Sequence, residues 1–370
     1  MKRLVWVGAL LVVPGFADVD RHPAGVPLTP LPATWSVVTI GPCERAPDSP
    51  CAISLFSMRG YTVPGGGRPP ARPVRIAFAD NPSGVLKQVI GPPFDGSWTV
   101  TFGEKPVGRL AIAEDLLVFV PRSGLYDVSV VRRGPRLGWQ WGASNPRAPR
   151  MPRQVALAVG GDPDSTFVAH LDPGRRSLSY LVHPDGWQAV SVPLEDDAAV
   201  VALCVDGSGS LHAICTGSGS VFYATNAGGK PRRDIIAPAG SGNRGAIVAD
   251  DHGDIHVVYC DSRTQGIEYW KTTDGGWKRA LIAESDGVDV HLCVTADAGR
   301  LPHIAYGSPR GLVYMTQREV TWIRHRVSEE GPIAGCAVVV DADVVVHLCF
   351  TDGDRGVVKY ATSGEPKEKR

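Results

Sequence analysis

The sequence predicts an all-β fold assembled from repeated four-stranded antiparallel units, on three observations. A short motif, a His among apolar residues, recurs through the second half of the chain: Leu211-His212-Ala213, Ile255-His256-Val257, Pro302-His303-Ile304 and Val346-His347-Leu348. The histidines are 44, 47 and 44 residues apart. Between recurrences apolar residues alternate with period two, and no stretch carries the long 3.6-residue stripe of an amphipathic helix. The chain also holds 43 Gly and 31 Pro in 370 residues, above the usual combined share of roughly 12%, with no collagen period. That much Gly and Pro implies many turns between many short elements.

The repeat runs deeper than the histidine. Six residues before each stands an Asp (Asp206, Asp250, Asp297, Asp341), and eleven to thirteen after it a Tyr (Tyr223, Tyr269, Tyr314, Tyr360). Trp277 and Trp322 open the run that follows the Tyr. Each full copy resolves into four short runs; in one they are residues 245–250, 254–260, 266–272 and 277–283. Four strands in about 45 residues is the signature of a β-propeller blade. Weaker copies centred on Arg75, Leu117 and Phe167 bring the number to seven. After Tyr360 the last copy runs into the charged tail of residues 363–370, where a fourth strand is due. Residues 34–40, which include Trp35, read as a fourth strand with no unit of its own. The expectation is a seven-bladed β-propeller of four-stranded antiparallel blades over residues 34–362, with a six- or eight-bladed ring as the alternative because the first two copies are degenerate. The N-terminal strand completes the last blade and leaves no open sheet edge.

Ahead of that domain, Lys2 and Arg3 precede an apolar run at residues 4–13, which Pro14 and Gly15 break. Gly15 and Ala17 put small residues where a signal peptidase reads. Residues 1–17 therefore read as a signal peptide and 18–33 as a linker, which gives a periplasmic or extracellular address. The apolar run is too short to span a bilayer, which takes about 20 residues, and no later segment is a candidate span. With 38 basic and 38 acidic side chains, the chain lacks the basic excess of a nucleic-acid binder.

Eight cysteines suit an exported protein, although a chain of this length can build its own core. Cys43 and Cys51 flank seven residues of a Pro-rich loop, where a disulfide would clip the loop. If Asp341 and Val344 bracket a hairpin turn, Cys336 and Cys349 lie opposite each other as a second candidate pair. The others fall in apolar strand-like runs and read as buried thiols. No C-x-x-C occurs, so no structural zinc is expected, and nothing in the sequence implies a cofactor.

A residue repeated in several blades is architecture before it is chemistry, because a ring offers several copies of each packing site. His212, His256, His303 and His347 are thus expected to be buried and hydrogen-bonded, the Asp to open a turn, and the Tyr and Trp to fill the core. The pattern resembles the His-x-x-Tyr repeats of secreted bacterial propellers placed near the sialidase superfamily. Asp95-Gly96-Ser97-Trp98, Asp185-Gly186-Trp187 and Asp274-Gly275-Gly276-Trp277 are similar to the end of the sialidase Asp-box, though shorter between Asp and Trp. Val74-Arg75-Ile76-Ala77 lacks the Arg-Ile-Pro motif of that superfamily. The resemblance implies its fold and an exported context, without its catalytic motifs.

Function is then expected where blades differ. Arg109, Arg153, Arg244 and His291 sit near the starts of innermost strands, with Asp289 just before His291 as a candidate acid/base partner. Arg244 and His291 each lie twelve residues before a repeat His, at equivalent points of adjacent blades. Trp141 departs from the repeat within residues 138–153 and reads as a sugar-stacking or partner-binding residue. Arginines in the loops after the second strands, among them Arg310 and Arg355, with acids nearby such as Asp352 and Asp354, read as pairs that hold turns or as a polar ring suited to sugar hydroxyls or an anionic group. Together these features suggest an exported, non-catalytic propeller binding a glycan or protein at its loop face. The alternatives are a polysaccharide-active glycoside hydrolase or lyase using His291, and a scaffold protein.

Overall fold

The computed structural model describes residues 35–42, the strands between 51 and 190 named below, and residues 199–363 apart from 218–219, 238–243, 262–263, 265, 285–290 and 319. The described residues form strands arranged in four-stranded antiparallel sheets.

An N-terminal strand, β1 (Ser36–Pro42), is followed by a sheet of β2 (Cys51–Leu55), β3 (Val74–Ala79), β4 (Leu86–Gly91) and β5 (Trp98–Phe102). The next comprises β6 (Val107–Ala113), β7 (Leu116–Pro121), β8 (Ser129–Arg133) and β9 (Trp139–Trp141). Then come β10 (Ala158–Gly160), β11 (Thr166–Asp172), β12 (Ser177–His183) and β13 (Gly186–Val190). The fourth sheet holds β14 (Ala199–Val205), β15 (Leu211–Gly217), β16 (Ser220–Thr225) and β17 (Arg232–Ala237). After it stand β18 (Gly245–Ala249), β19 (Ile255–Asp261), β20 (Gly266–Thr273) and β21 (Gly276–Glu284). The sixth is β22 (His291–Ala296), β23 (Pro302–Ser308), β24 (Gly311–Arg318) and β25 (Thr321–Ser328). The last sheet takes β26 (Ile333–Val340), β27 (Val346–Asp352) and β28 (Val357–Thr362) from the C-terminal segment, and its outer strand is β1. β1 runs antiparallel to β28, with Ser36 opposite Thr362 and Val38 opposite Tyr360.

First strands of successive sheets touch in turn, β2 with β6, β6 with β10, and so on to β22 with β26, and β26 also touches β2. Sheets stacked in this way bury both faces. In β19 the residues Val257 and Tyr259 pack with Ile214, Tyr223 and Ile236 of the preceding sheet, while Val258 packs with Ile304 and Tyr306 of the following one. Side chains alternate faces along a strand, so a strand with two buried faces reads as a near-continuous apolar run. All seven residues of β19 are buried. The last sheet packs likewise on both sides. Leu348 and Phe350 meet Ala305 and Tyr314, and Cys349, Val358 and Tyr360 meet Val74, Ile76 and Phe78. Among the described residues no helix is long and apolar enough to cross a membrane.

The cysteine pairings expected from spacing do not form. Cys336 lies opposite Phe350, and Cys349 opposite Ala337. The turn is one residue longer than the spacing argument assumed, because the N–H of Asp341 donates to the carbonyl of Val345 rather than Val344. A one-residue shift sends a side chain to the other face of its sheet. Cys336 instead meets Cys293 of the neighbouring sheet, with the two Sγ atoms 3.6 Å apart. Cys51 is a free thiol 3.9 Å from the carbonyl of Cys349, and Cys43 lies outside the described residues.

Candidate functional site

The four repeat histidines sit in one recurring constellation. His212 places Nε2 3.1 Å from Oδ2 of Asp206 and Nδ1 2.6 Å from the hydroxyl of Tyr223. The corresponding distances are 3.2 and 2.7 Å for His256 with Asp250 and Tyr269. They are 3.3 and 2.6 Å for His303 with Asp297 and Tyr314, and 3.4 and 2.7 Å for His347 with Asp341 and Tyr360. A carboxylate only accepts, so Nε2–H donates to the Asp and Nδ1 accepts the Tyr O–H.

Each Asp also holds the turn that joins the first two strands of its sheet. Oδ1 of Asp206 accepts the N–H groups of Ser208 and Ser210, and Oδ1 of Asp250 those of His252 and Asp254. Asp341 does the same for Asp343 and Val345. One carboxylate thus braces a turn and orients a histidine, which ties the second strand to the third.

An Asp–His–hydroxyl chain has the outline of a nucleophile with its base and orienting group. The four hydroxyls are buried. Burial pushes the Tyr223 and Tyr360 hydroxyls up to about 12, and those of Tyr269 and Tyr314 higher still. Burial also lowers the pKa of all four histidines, against the upward pull of their carboxylates. Each neutral ring is held between a carboxylate and a phenol, and so links the turn after the first strand to the third strand.

The loop-face residues are placed as follows. Arg244 immediately precedes β18, and its carbonyl accepts the N–H of Cys260 at 3.2 Å. His291 opens β22 opposite Gly307, and its carbonyl faces the Cys336 thiol at 3.6 Å. Both residues are half-buried, and β18 and β22 are in contact, so the two stand at equivalent points of adjacent sheets. Arg109 lies in β6 opposite Val120. Trp141 is in β9 opposite Val131, so it belongs to a fourth strand rather than to a loop. Arg153 and Asp289 lie outside the described residues. Among the described residues, no cluster of three His, Cys, Asp or Glu could hold a metal ion.

Beneath that face lie two buried charges that the sequence reading did not single out. Glu268 is 1% exposed and accepts the Tyr259 hydroxyl at 2.6 Å, the Trp270 indole at 3.2 Å and the Arg279 guanidinium. Lys359 holds the matching place in the last sheet, with Asp352 at 3.2 Å and Glu330 as partners. Arg355 joins them, bonding Glu330 at 2.7 Å, while its backbone N–H donates to Asp352. The available signal was a charged residue directly before the repeat Tyr, where Phe222 and Val313 stand in the other sheets.

No protein-family model matches the sequence, and neither does a curated relative. Solved structures do. Virginiamycin B lyase from Staphylococcus aureus, in a catalytically inactive form with quinupristin, superposes with a TM-score of 0.57 at 10% identity, over 89% of this chain and 99% of that one. YCF48 bound to D1 peptide gives 0.57 at 12% identity, over 92% and 99%. AofleA from Arthrobotrys oligospora gives 0.51 at 14%, over 79% and 89%. At these identities the likeness concerns architecture alone, and with its four-stranded antiparallel sheets it makes the fold of this chain a β-propeller.

Proposed function

We propose that the protein is an exported, non-catalytic binding propeller that takes a glycan or protein ligand at the face where the innermost strands begin. The observation that carries this reading is the placement of Arg244 and His291 at equivalent points of adjacent innermost strands, while the repeated histidines serve as braces. Arg brings a planar fork of donors suited to sugar hydroxyls, peptide carbonyls and carboxylates. A peptide ligand has a precedent on this fold in the YCF48 complex.

The ring has seven blades in this reading, with β1 closing the last one. The contact of β26 with β2 and the pairing of β1 with β28 support it. The short Asp-Gly-Trp segments keep a likeness to sialidase repeats, and Asp274-Gly275 forms the turn between β20 and β21. Export rests on the charged start, apolar run and small residues of positions 1–17.

The test uses glycan and peptide arrays probed with the mature chain and with Arg244→Ala and His291→Ala variants. Binding lost in both variants at unchanged melting temperature supports the loop face. Binding retained in both refutes it. New reducing ends or unsaturated products from a polysaccharide substrate would instead make the protein an enzyme.

A further inference from the structure

A cavity of about 360 Å³ lies between the sheet β22–β25 and the last sheet. It opens among the turns after the first and third strands, at the opposite strand ends from Arg244 and His291. Trp35, Tyr314, Ile323, His325 and Val346 line it, with Arg318 beside them. Nε1 of Trp35 and Nδ1 of His325 are buried there without a hydrogen-bond partner. Buried polar atoms are rarely left unsatisfied, so two in one cavity require an explanation.

The repeat supplies one. Trp277 packs edge-on against Tyr223 as Trp35 packs against Tyr314. At that earlier junction the indole N–H of Trp277 donates to Oδ2 of Asp234 at 3.5 Å. Asp234 lies opposite Tyr223, and His325 lies opposite Tyr314. His325 therefore occupies the place of the carboxylate, and Trp35 has lost its acceptor. Among the described residues, the one acid lining the cavity, Asp297, is engaged by His303 and by the N–H of Leu301. The site offers two N–H donors, a nearby cation and apolar walls. What it lacks, among the described residues, is a carboxylate free to accept from those donors.

We propose that this cavity binds a small organic carboxylate with an apolar body. The carboxylate accepts from Trp35 Nε1–H and His325 Nδ1–H, as the Asp234 carboxylate accepts from Trp277, and the apolar body lies against Ile323, Val344 and Val346. A neutral imidazole donates from one nitrogen only, and the bound carboxylate selects the tautomer protonated at Nδ1. The volume is at the small end of ligand pockets, which favours a short aliphatic or aryl-substituted acid.

The experiment titrates the full chain with hexanoate, 3-phenylpropionate and the neutral isostere hexanamide, following binding by calorimetry and stabilisation by melting. A tripeptide ending in Leu, as free acid and as C-terminal amide, separates a chain end from a free acid. At least one carboxylate is expected to bind and raise the melting temperature, with its amide about tenfold weaker. His325→Asp rebuilds the Asp234–Trp277 pairing internally, so it is expected to melt no lower than the parent and to lose carboxylate binding. Carboxylate binding lost in Arg244→Ala and kept in His325→Asp would place it at the loop face and overturn the proposal. The proposal is overturned if no carboxylate binds at millimolar concentration, if acids and amides bind alike, or if folded His325→Asp binds as tightly as the parent.

Discussion

Trp35 packs edge-on against Tyr314, with ring centroids 5.4 Å apart and planes at 63°. Trp277 meets Tyr223 at 5.0 Å and 70°, and Trp322 meets Tyr269 at 5.0 Å and 72°. In those two pairs the Trp opens the fourth strand of the sheet that follows the Tyr in sequence. Trp35 does the same work from the other end of the chain, because β1 is the outer strand beside β28.

That relationship predicts the effect of losing the N-terminal strand. Trp35→Ala removes a large half-buried ring from its Tyr and is expected to cost about 3 kcal/mol, the lower end of the range for aromatic truncation. Deleting residues 34–42 also exposes β28 as an unpaired edge, which invites edge-to-edge association. Thermal melting with light scattering reads both effects. A deletion variant that melts like the parent would show that β1 contributes nothing to the last sheet.

Replacing a repeat histidine should weaken the fold. His256 is fully buried, and His256→Ala leaves the Tyr269 hydroxyl and one bond of the Asp250 carboxylate unmet. Such a loss costs about 1–3 kcal/mol, visible as a lowered denaturation midpoint. His303→Ala should behave alike, since the constellation is the same. Unchanged midpoints in both variants would remove the histidines from the scaffold.

The same four rings make stability pH-dependent, with a definite sign. Burial holds their pKa values below the ordinary 6.5. As pH falls through about 6.5 the unfolded chain takes up protons that the folded chain refuses. Their contribution is therefore complete above that pH and is lost as pH falls towards the folded-state values. Asp206 and Asp250 extend the loss to lower pH. Burial pushes their pKa values up, but hydrogen bonds from backbone, Ser208 and the histidines carry them below the ordinary value. Urea midpoints should stay level from about pH 8 to about pH 7 and decline from there to pH 5, less steeply in His256→Ala. A midpoint that rises on acidification contradicts the neutral-ring assignment.

One turn position is built for glycine and does not always hold it. Three residues after the repeat Asp the backbone is left-handed, with φ of 83° at Gly209, 84° at Gly253, 66° at Arg300 and 60° at Val344. A β-branched residue is poorly suited to that conformation, and the penalty for an L-residue is about 1–2 kcal/mol. Val344 is 56% exposed, so its side chain loses little burial when removed. Val344→Gly should therefore raise the melting temperature, and a lower value would show that Val344 packs more than its exposure implies.

Much of this architecture could be read from the chain alone. Period-two alternation, the 44- to 47-residue spacing and the Asp, His and Tyr offsets are properties of covalent order. They located the strands of the copy at residues 245–283 to within a residue or two of β18 to β21, because each signal arises within one sheet. The burial and hydrogen bonding of the histidines were also legible, since a residue repeated in register has the same neighbours each time. Register was less so. One extra turn residue before Val345 moved Cys336 from Cys349 to Phe350, and nothing in the composition of that turn announces its length.

What only the tertiary structure decided lies between sheets. The approach of Cys293 to Cys336, the ion pair of Lys359 with Glu330, and the meeting of Trp35 with His325 all join residues from different sheets or distant segments. No local periodicity encodes such contacts, because they depend on how one sheet face stacks on the next. Trp35 and His325 are 290 residues apart in the chain. They share a cavity because the N-terminal strand pairs with β28, next to the sheet that carries His325, and that adjacency exists only once the chain has folded.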